Sequence, residues 1–326
     1  MPTISVEQNL IAKLLAQHKL DHDVEQIADE LPLLGTDIDR CDAQTLDIEI
    51  FPNRPDLLSG ETLTRAIRNF VHRQPAKPSI TTTEGKITLN VEPDLAEIRP
   101  VILGAVVRNV DYTSIGVSAD EFIKSLMDHQ EKLHFALGRG RKRASIGVHD
   151  LAKLAPPFTV KAVSGDTKFT PLAATEPMSI KEIMAEHPKG IEYAHLLSEF
   201  DRYPIILDAE NNVLSFPPII NGDHTTVTKE TKDFFIDVTG WDIRACESSL
   251  MLIALQLQEY GGIIETVEVT NCFGETNVYP NGSAVEHKLT IAAIQGLLGG
   301  KLTEEAISGA INRMGGKLVS CDDKFI

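Results

Sequence analysis

The chain of 326 residues is long enough for two domains and could hold three. Hydrophobic residues at 42% and charged residues at 24% exclude wholesale disorder, and no run approaches the roughly 20 apolar residues that a membrane-spanning helix needs. Lysine and arginine (31) against aspartate and glutamate (47) give a net charge of −16, which excludes diffuse binding to nucleic acid; any contact with phosphate needs a local basic cluster. Cys41, Cys246, Cys272 and Cys321 show no zinc spacing, and the N-terminus lacks the basic start and apolar run of a secretory signal. Reduced thiols in a cytoplasmic protein with no bound metal are expected.

In chain order, Ser5 and Gln8 form a capping-box pattern ahead of Leu10, Ile11, Leu14 and Leu15, predicting a first helix. A short second helix is expected around Val24, Ile27 and Leu31, and a strand from Leu46 to Phe51. After the turn Pro52-Asn53-Arg54-Pro55, Asp56 is placed to cap a helix with Leu63, Ile67, Phe70 and Val71 on its apolar face. The polar tract 74–85 reads as a domain boundary. Strands are predicted at 87–91, 101–107, 145–148, 158–163, 234–238 and 267–272, with a hairpin joining 205–208 to 213–216. Helices are predicted from Ser118 through Leu137, at 180–186 and 191–197, and from Arg244 to Tyr260. Two amphipathic helices, 288–298 and 303–314, precede a strand pair beginning at Leu318, an ending that suggests a fragment.

Three features could carry chemistry. Arg139, Arg141, Lys142 and Arg143 concentrate positive charge at the end of a helix that also carries His129, Lys132 and His134. They fit either a site for RNA phosphates or a complement to the helix C-terminal dipole. On the strand Phe234–Val238, period-two alternation puts Phe235, Asp237 and Thr239 on one face, which fits a pocket wall or a solvent-facing sheet edge. The segment Leu214–His224 places Ser215, two prolines and the polar cluster Asn221–His224 together, as an active-site loop or an ordinary turn. Ser215 lacks the nucleophile-elbow pattern of a serine hydrolase. His149 and Asp150 are adjacent on a strand and so point oppositely, which argues against a catalytic pair.

Five segments in order, Ile50–Ser59, Glu97–Pro100, Arg143–Asp150, Leu214–His224 and Asp233–Gly240, resemble the beta subunits of phenylalanine–tRNA ligases of the archaeal and eukaryotic type. The resemblance covers essentially the whole chain but only the N-terminal half or so of that family. It implies an α+β protein: a small N-terminal α/β domain over 1–80, a larger mixed α/β tRNA-editing domain over 85–270, and a partial helical domain over 273–326. The implied partners are tRNA(Phe) and an alpha subunit, in a heterotetramer of two alpha and two beta chains. ATP and magnesium are implied for the full ligase and no cofactor for this part, which would not aminoacylate by itself.

The implied reaction is hydrolysis of tyrosyl-tRNA(Phe) at its 3′-terminal ester. An apolar phenylalanine pocket rejects tyrosine weakly, whereas a second site that hydrogen-bonds the phenol can discriminate by a factor on the order of 10⁴. By match to the family, Ser215, Asp237 and Thr239 are the catalytic candidates. Ile206, Asn221, Asp223 and Phe235 are the substrate-binding candidates, with Asp223 as the reader of the phenol, and Arg139, Arg141, Lys142 and Arg143 are the tRNA-binding candidates. The alternative is a non-catalytic tRNA-binding and subunit-assembly module of the same ligase.

Overall fold

The computed structural model describes residues 2–75, 77, 79–322 and 326. They form two compact units, Met1–Thr81 with Gly282–Ile326, and Thr82–Asn281.

In the first unit, buried Ile4 and Val6 alternate with exposed Thr3, Ser5 and Glu7, and this period makes β1 (Thr3–Glu7) a strand. That overrules the capping box expected at Ser5, which instead donates to Asp47; helix α1 (Gln8–Ala16) starts after Glu7. Helix α2 (Val24–Glu30) is capped by the Asp23 carboxylate on the Gln26 N–H. Strands β2 (Thr36–Cys41) and β3 (Thr45–Ile50) complete an antiparallel sheet in the order β1-β3-β2. The sequence Thr-Asp-Ile-Asp-Arg-Cys carries almost no apolar alternation, so β2 was not anticipated. Helix α3 (Gly60–Phe70) is capped by Ser59, not Asp56, whose carboxylate is taken by Arg54 at 2.7 Å.

The second unit is built on a ten-stranded sheet. Its strands are β4 (Thr83–Val91), β5 (Val101–Arg108), β6 (Ala144–Asp150), β7 (Phe158–Ser164), β10 (Arg202–Leu207), β11 (Val213–Phe216), β12 (Ile220–Asn221), β13 (Phe234–Gly240), β14 (Ile263–Thr270) and β15 (Thr276–Tyr279). The order is β12-β11-β10-β7-β4-β14-β5-β13-β6, with β15 paired to β14. Strand β4 lies parallel to both β14 and β7; the other pairings are antiparallel. Two short strands, β8 (Lys168–Phe169) and β9 (Met178–Ser179), pair separately. Helices α4 (Ala119–Ala136), α5 (Ile180–Glu186), α6 (Pro188–Tyr193) and α7 (Ile243–Gln258) complete the unit. Both α4 and α5 begin with a closed capping box, at Ser118 and Ser179.

Alternation on β13 sends neighbouring phenylalanines into different layers. Phe234 meets Phe122 of α4 with ring centroids 6.0 Å apart, while Phe235 meets Phe158 at 4.3 Å in the opposite core. That core also holds Leu89, Val160, Ile206, Leu214 and Val267. A second cluster around Phe169, Ile180, Ile183, Ile205 and Phe216 fills the space under α5. The chain between β11 and β12 turns tightly at Pro217-Pro218, with the Ile219 N–H on the Phe216 carbonyl.

Helices α8 (Ile291–Leu298) and α9 (Glu304–Arg313) belong to the first unit, where the Arg313 guanidinium stacks 4.0 Å over the Phe70 ring and pairs with Glu30 at 2.6 Å. Of the strand pair expected from Leu318, described residues 318–322 form no strand and residues 323–325 lie outside the described residues.

Phe158 is fully buried against Phe235 in the larger core. Replacing it with alanine should cost about 3–5 kcal/mol in urea unfolding. A loss below about 1 kcal/mol would mean that the core does not depend on this contact.

Candidate active site

The two ends of the large sheet approach one another. Asn221 Nδ2 of β12 lies 3.5 Å from the Val148 carbonyl of β6, and Arg141, just before β6, donates to the carbonyls of Pro218 and Ile219 at 3.2 and 3.0 Å. Between these ends lies a cavity of about 410 Å³, within the range of small-molecule sites. Ile123, Leu126, Met127, Val148, Pro218 and Ile220 give it apolar walls, and Gln130, Ser145, Ser215, Asn221 and Asp237 bring polar groups to it.

Asp237 is placed by register. It sits on β13 between Gly104 of β5 and Gly147 of β6. A Cβ at position 147 would fall 2.1 Å from Asp237 Oδ2 and 2.8 Å from His149 Nε2, so only glycine leaves space for this pair. His149, two residues along β6, shares the face of Gly147. Its Nε2 lies 2.7 Å from Asp237 Oδ2 and its Nδ1 lies 2.8 Å from Thr225 Oγ1. Both members of the pair are buried. Adjacency in sequence offered only Asp150 as a neighbour of His149, whereas its partner is 88 residues away on another strand. Asp150 points elsewhere, accepting from Thr231 at 2.8 Å and from the Ala152 N–H.

The other candidates separate. Ser215 lines the cavity and its hydroxyl donates to Asn221 Oδ1 at 3.3 Å. Thr239 is fully buried beside the cavity and does not line it. Its hydroxyl accepts from Arg99 Nε at 2.7 Å and its carbonyl accepts from an Arg99 Nη at 2.7 Å. Arg99 also donates to Ser145 Oγ and the Arg141 carbonyl, each at 3.0 Å. Burial pulls its pKa down to about 10, so it remains a cation at neutral pH. Ile206 and Phe235 are core residues without a place in the cavity wall. Asp223 lies exposed outside the wall, 3.4 Å from the Ala173 N–H.

The basic segment also divides. Arg139, Gly140 and Arg141 have φ of 48°, 62° and 65°, three successive residues in the left-handed region, at a cost on the order of 1 kcal/mol or more for each arginine. This turn drives Arg141 into the cavity wall, where it pairs with Glu131 at 2.7 Å and stacks 4.2 Å from the Tyr193 ring. Arg143 pairs with Asp242, the N-cap of α7. Arg139 and Lys142 are exposed. Lys189 and His187 of the α6 segment also line the cavity, and sequence spacing offered no signal for them. Among the described residues no group of three or more His, Cys, Asp or Glu is placed to hold a metal ion, and no helix is long and apolar enough to cross a membrane.

Two expectations follow from these contacts. Thr239→Val strips the acceptor from a buried guanidinium N–H and should cost about 1–3 kcal/mol in urea unfolding; unchanged stability would remove the Arg99–Thr239 bond from the fold's supports. The hydrogen bond from His134, helped by the Arg141 charge, holds the Glu131 carboxyl down at about 2, below the ordinary 4.5. Its folded pKa is depressed, so its stabilisation is complete above about 4.5 and disappears as pH falls through about 2. Glu131→Gln should therefore be less stable than the parent near neutrality, with the two unfolding curves converging toward pH 2; a gap independent of pH would contradict this linkage.

Comparison with known proteins follows the same geometry. Residues 102–256, which carry most of the cavity wall, match the B3/4 domain family. The chain is 44% identical over 314 residues to the phenylalanine–tRNA ligase beta subunit of Methanosarcina acetivorans, covering 96% of this chain and 55% of the relative. The corresponding subunit of Archaeoglobus fulgidus is 38% identical over the same shares. The crystal structure of an N-terminal fragment of the phenylalanyl-tRNA synthetase beta-subunit from Pyrococcus horikoshii superposes with a TM-score of 0.86 at 29% identity, covering 96% of this chain and 89% of that one. The chain thus spans little more than half the length of the two relatives named. Over 96% of its length the chain is similar to the beta subunits of phenylalanine–tRNA ligases, among them an N-terminal fragment of one, and its residues 102–256 match the B3/4 domain family.

Proposed function

We propose that the cavity hydrolyses the ester of mischarged tyrosyl-tRNA(Phe), within a ligase that joins phenylalanine to tRNA(Phe). The observation that carries this reading is a buried carboxylate, Asp237, reaching an apolar-walled cavity of about 410 Å³ beside Ser215 and Asn221. Apolar walls suit an aromatic side chain. A carboxylate accepts hydrogen bonds from the substrate's α-ammonium group. Ser215 and Asn221 are polar groups in the wall within reach of a phenol or of the ester oxygens.

Water is the nucleophile in this scheme. The Ser215 hydroxyl donates to an amide oxygen and not to a base. Burial pushes the Cys246 thiol up to about 12 and raises that of Cys272, so neither is a thiolate at neutral pH. Water adds to the ester carbonyl, and as the tetrahedral intermediate collapses the departing oxygen of the 3′-terminal ribose takes up the proton that the water gives up. The exposed Arg139 and Lys142, with Lys189 at the cavity, supply positive charge for the RNA end. An alpha subunit is the expected partner, in a heterotetramer, and ATP and magnesium would serve aminoacylation by the complete ligase.

The test is ester loss from tyrosyl-tRNA(Phe) and phenylalanyl-tRNA(Phe) incubated with the chain. Tyrosyl ester should disappear faster, and Asp237→Ala should slow that loss by about one to three orders of magnitude. Equal, uncatalysed loss of both esters would favour the tRNA-binding and assembly role.

A further inference from the structure

We propose that two exposed aromatic residues, Phe135 and Trp241, flank the basic turn 139–143 as a stacking platform for the single-stranded end of an RNA on its way into the cavity. The inference takes its RNA from the editing reading and adds the surface that holds the strand outside the site.

The turn brings the two aromatic residues together. Helix α4 ends one residue after Phe135, and the turn folds back on its last residues. The Gly140 and Arg141 N–H groups reach the His134 carbonyl at 2.9 and 3.3 Å, and the Arg143 N–H reaches the Gly138 carbonyl at 2.8 Å. The pair Gly240 and Ala144 ends the β13–β6 ladder, and the Trp241 N–H then donates to the Arg143 carbonyl at 3.0 Å. Phe135 is 71% exposed, and Trp241, the single tryptophan of the chain, is 49% exposed.

Cations gather at the same place. Arg139 and Lys142 are exposed in the turn, and Arg244 is exposed in the first turn of α7, three residues after Trp241. No aspartate or glutamate falls between Glu131 and Asp150, in a chain that has 47 of them. Asp242, the carboxylate beside Trp241, is taken by Arg143 and by the Ala245 N–H. Clustered cations attract phosphate, and exposed rings beside them offer faces on which unpaired bases stack. The core of a protein–protein interface is depleted in charged residues, lysine among them, so this mixture favours a nucleic acid over a protein partner.

The platform is continuous with the cavity. Arg141 of the same turn and Ser145, just beyond it, line the wall. Glu131 lines it too, four residues before Phe135 and so about 6 Å from it along the axis of α4. A strand whose last nucleotide occupies the cavity therefore passes the two rings with its preceding bases. Only unpaired bases can be splayed onto side chains in this way, so the occupant is a single strand and not a duplex.

The experiment uses the 326-residue chain with tRNA(Phe) and with a short single-stranded RNA of its 3′-end sequence, binding being followed by anisotropy of a 5′ label. Because Trp241 is the single tryptophan, indole emission reports this surface directly, and both RNAs should quench it. Phe135→Ala should weaken binding about fivefold or more, Phe135→Leu should be as weak, and Phe135→Tyr should bind like the parent. Replacing Arg139 and Lys142 together with glutamine should flatten the salt dependence of binding. RNA binding without a change in Trp241 emission overturns the proposal, and so does a Phe135→Leu variant that binds like the parent, since an apolar contact would then suffice. A parent chain that binds neither RNA overturns it as well, and emission that responds to the alpha subunit but not to RNA would give the surface to a protein. In tyrosyl-tRNA(Phe) hydrolysis, Phe135→Ala should raise KM at unchanged kcat, while the tyrosyl ester of adenosine alone should be hydrolysed as by the parent. If the parent hydrolyses neither ester, the editing reading fails, while quenching and binding still decide the platform.

Discussion

A carboxylate in the middle of a sheet needs both space and a partner, and the site is organised around meeting those two needs for Asp237. Space comes from Gly104 and Gly147 on the two flanking strands. The partner is His149, itself held by Thr225. These residues come from β5, β6, β13 and the turn after β12, and a slip of β13 by one residue against β5 and β6 would turn the carboxylate to the opposite face.

Arg99 solves the related problem of a buried cation. Its guanidinium ties together Thr239 of β13, Ser145 of β6 and the Arg141 carbonyl. The Asp237 charge favours its ionised form, while burial opposes it. The charged groups beneath the cavity therefore stand in mutual compensation, as expected where unpaired burial is costly.

The basic run at 139–143 illustrates how little a local charge count reveals about use. In a chain of net charge −16, four cations in five positions suggest a phosphate site. Two of them are spent on internal structure, Arg141 as a brace between α4 and the Pro217-Pro218 turn and Arg143 at the cap of α7. Arg139 and Lys142 alone keep their charge at the surface.

Strong local patterns were legible in the sequence. Alternation identified β13 and the common face of Phe235, Asp237 and Thr239, and Ser118 marked the start of α4. The mixed α/β class was legible too, and so was the resemblance to the ligase beta subunits, because both rest on residue order. Local patterns failed where burial competed with capping, as at Ser5, and where a strand lacked apolar alternation, as in β2. Only the tertiary structure decided that β4 lies parallel to β14, that the ends of the sheet meet around a cavity, and that His149 belongs to Asp237. The physical reason is distance along the chain: periodicity reports which face a side chain occupies, but the partner waiting on that face is chosen by strand register and sheet curvature, which no local pattern encodes.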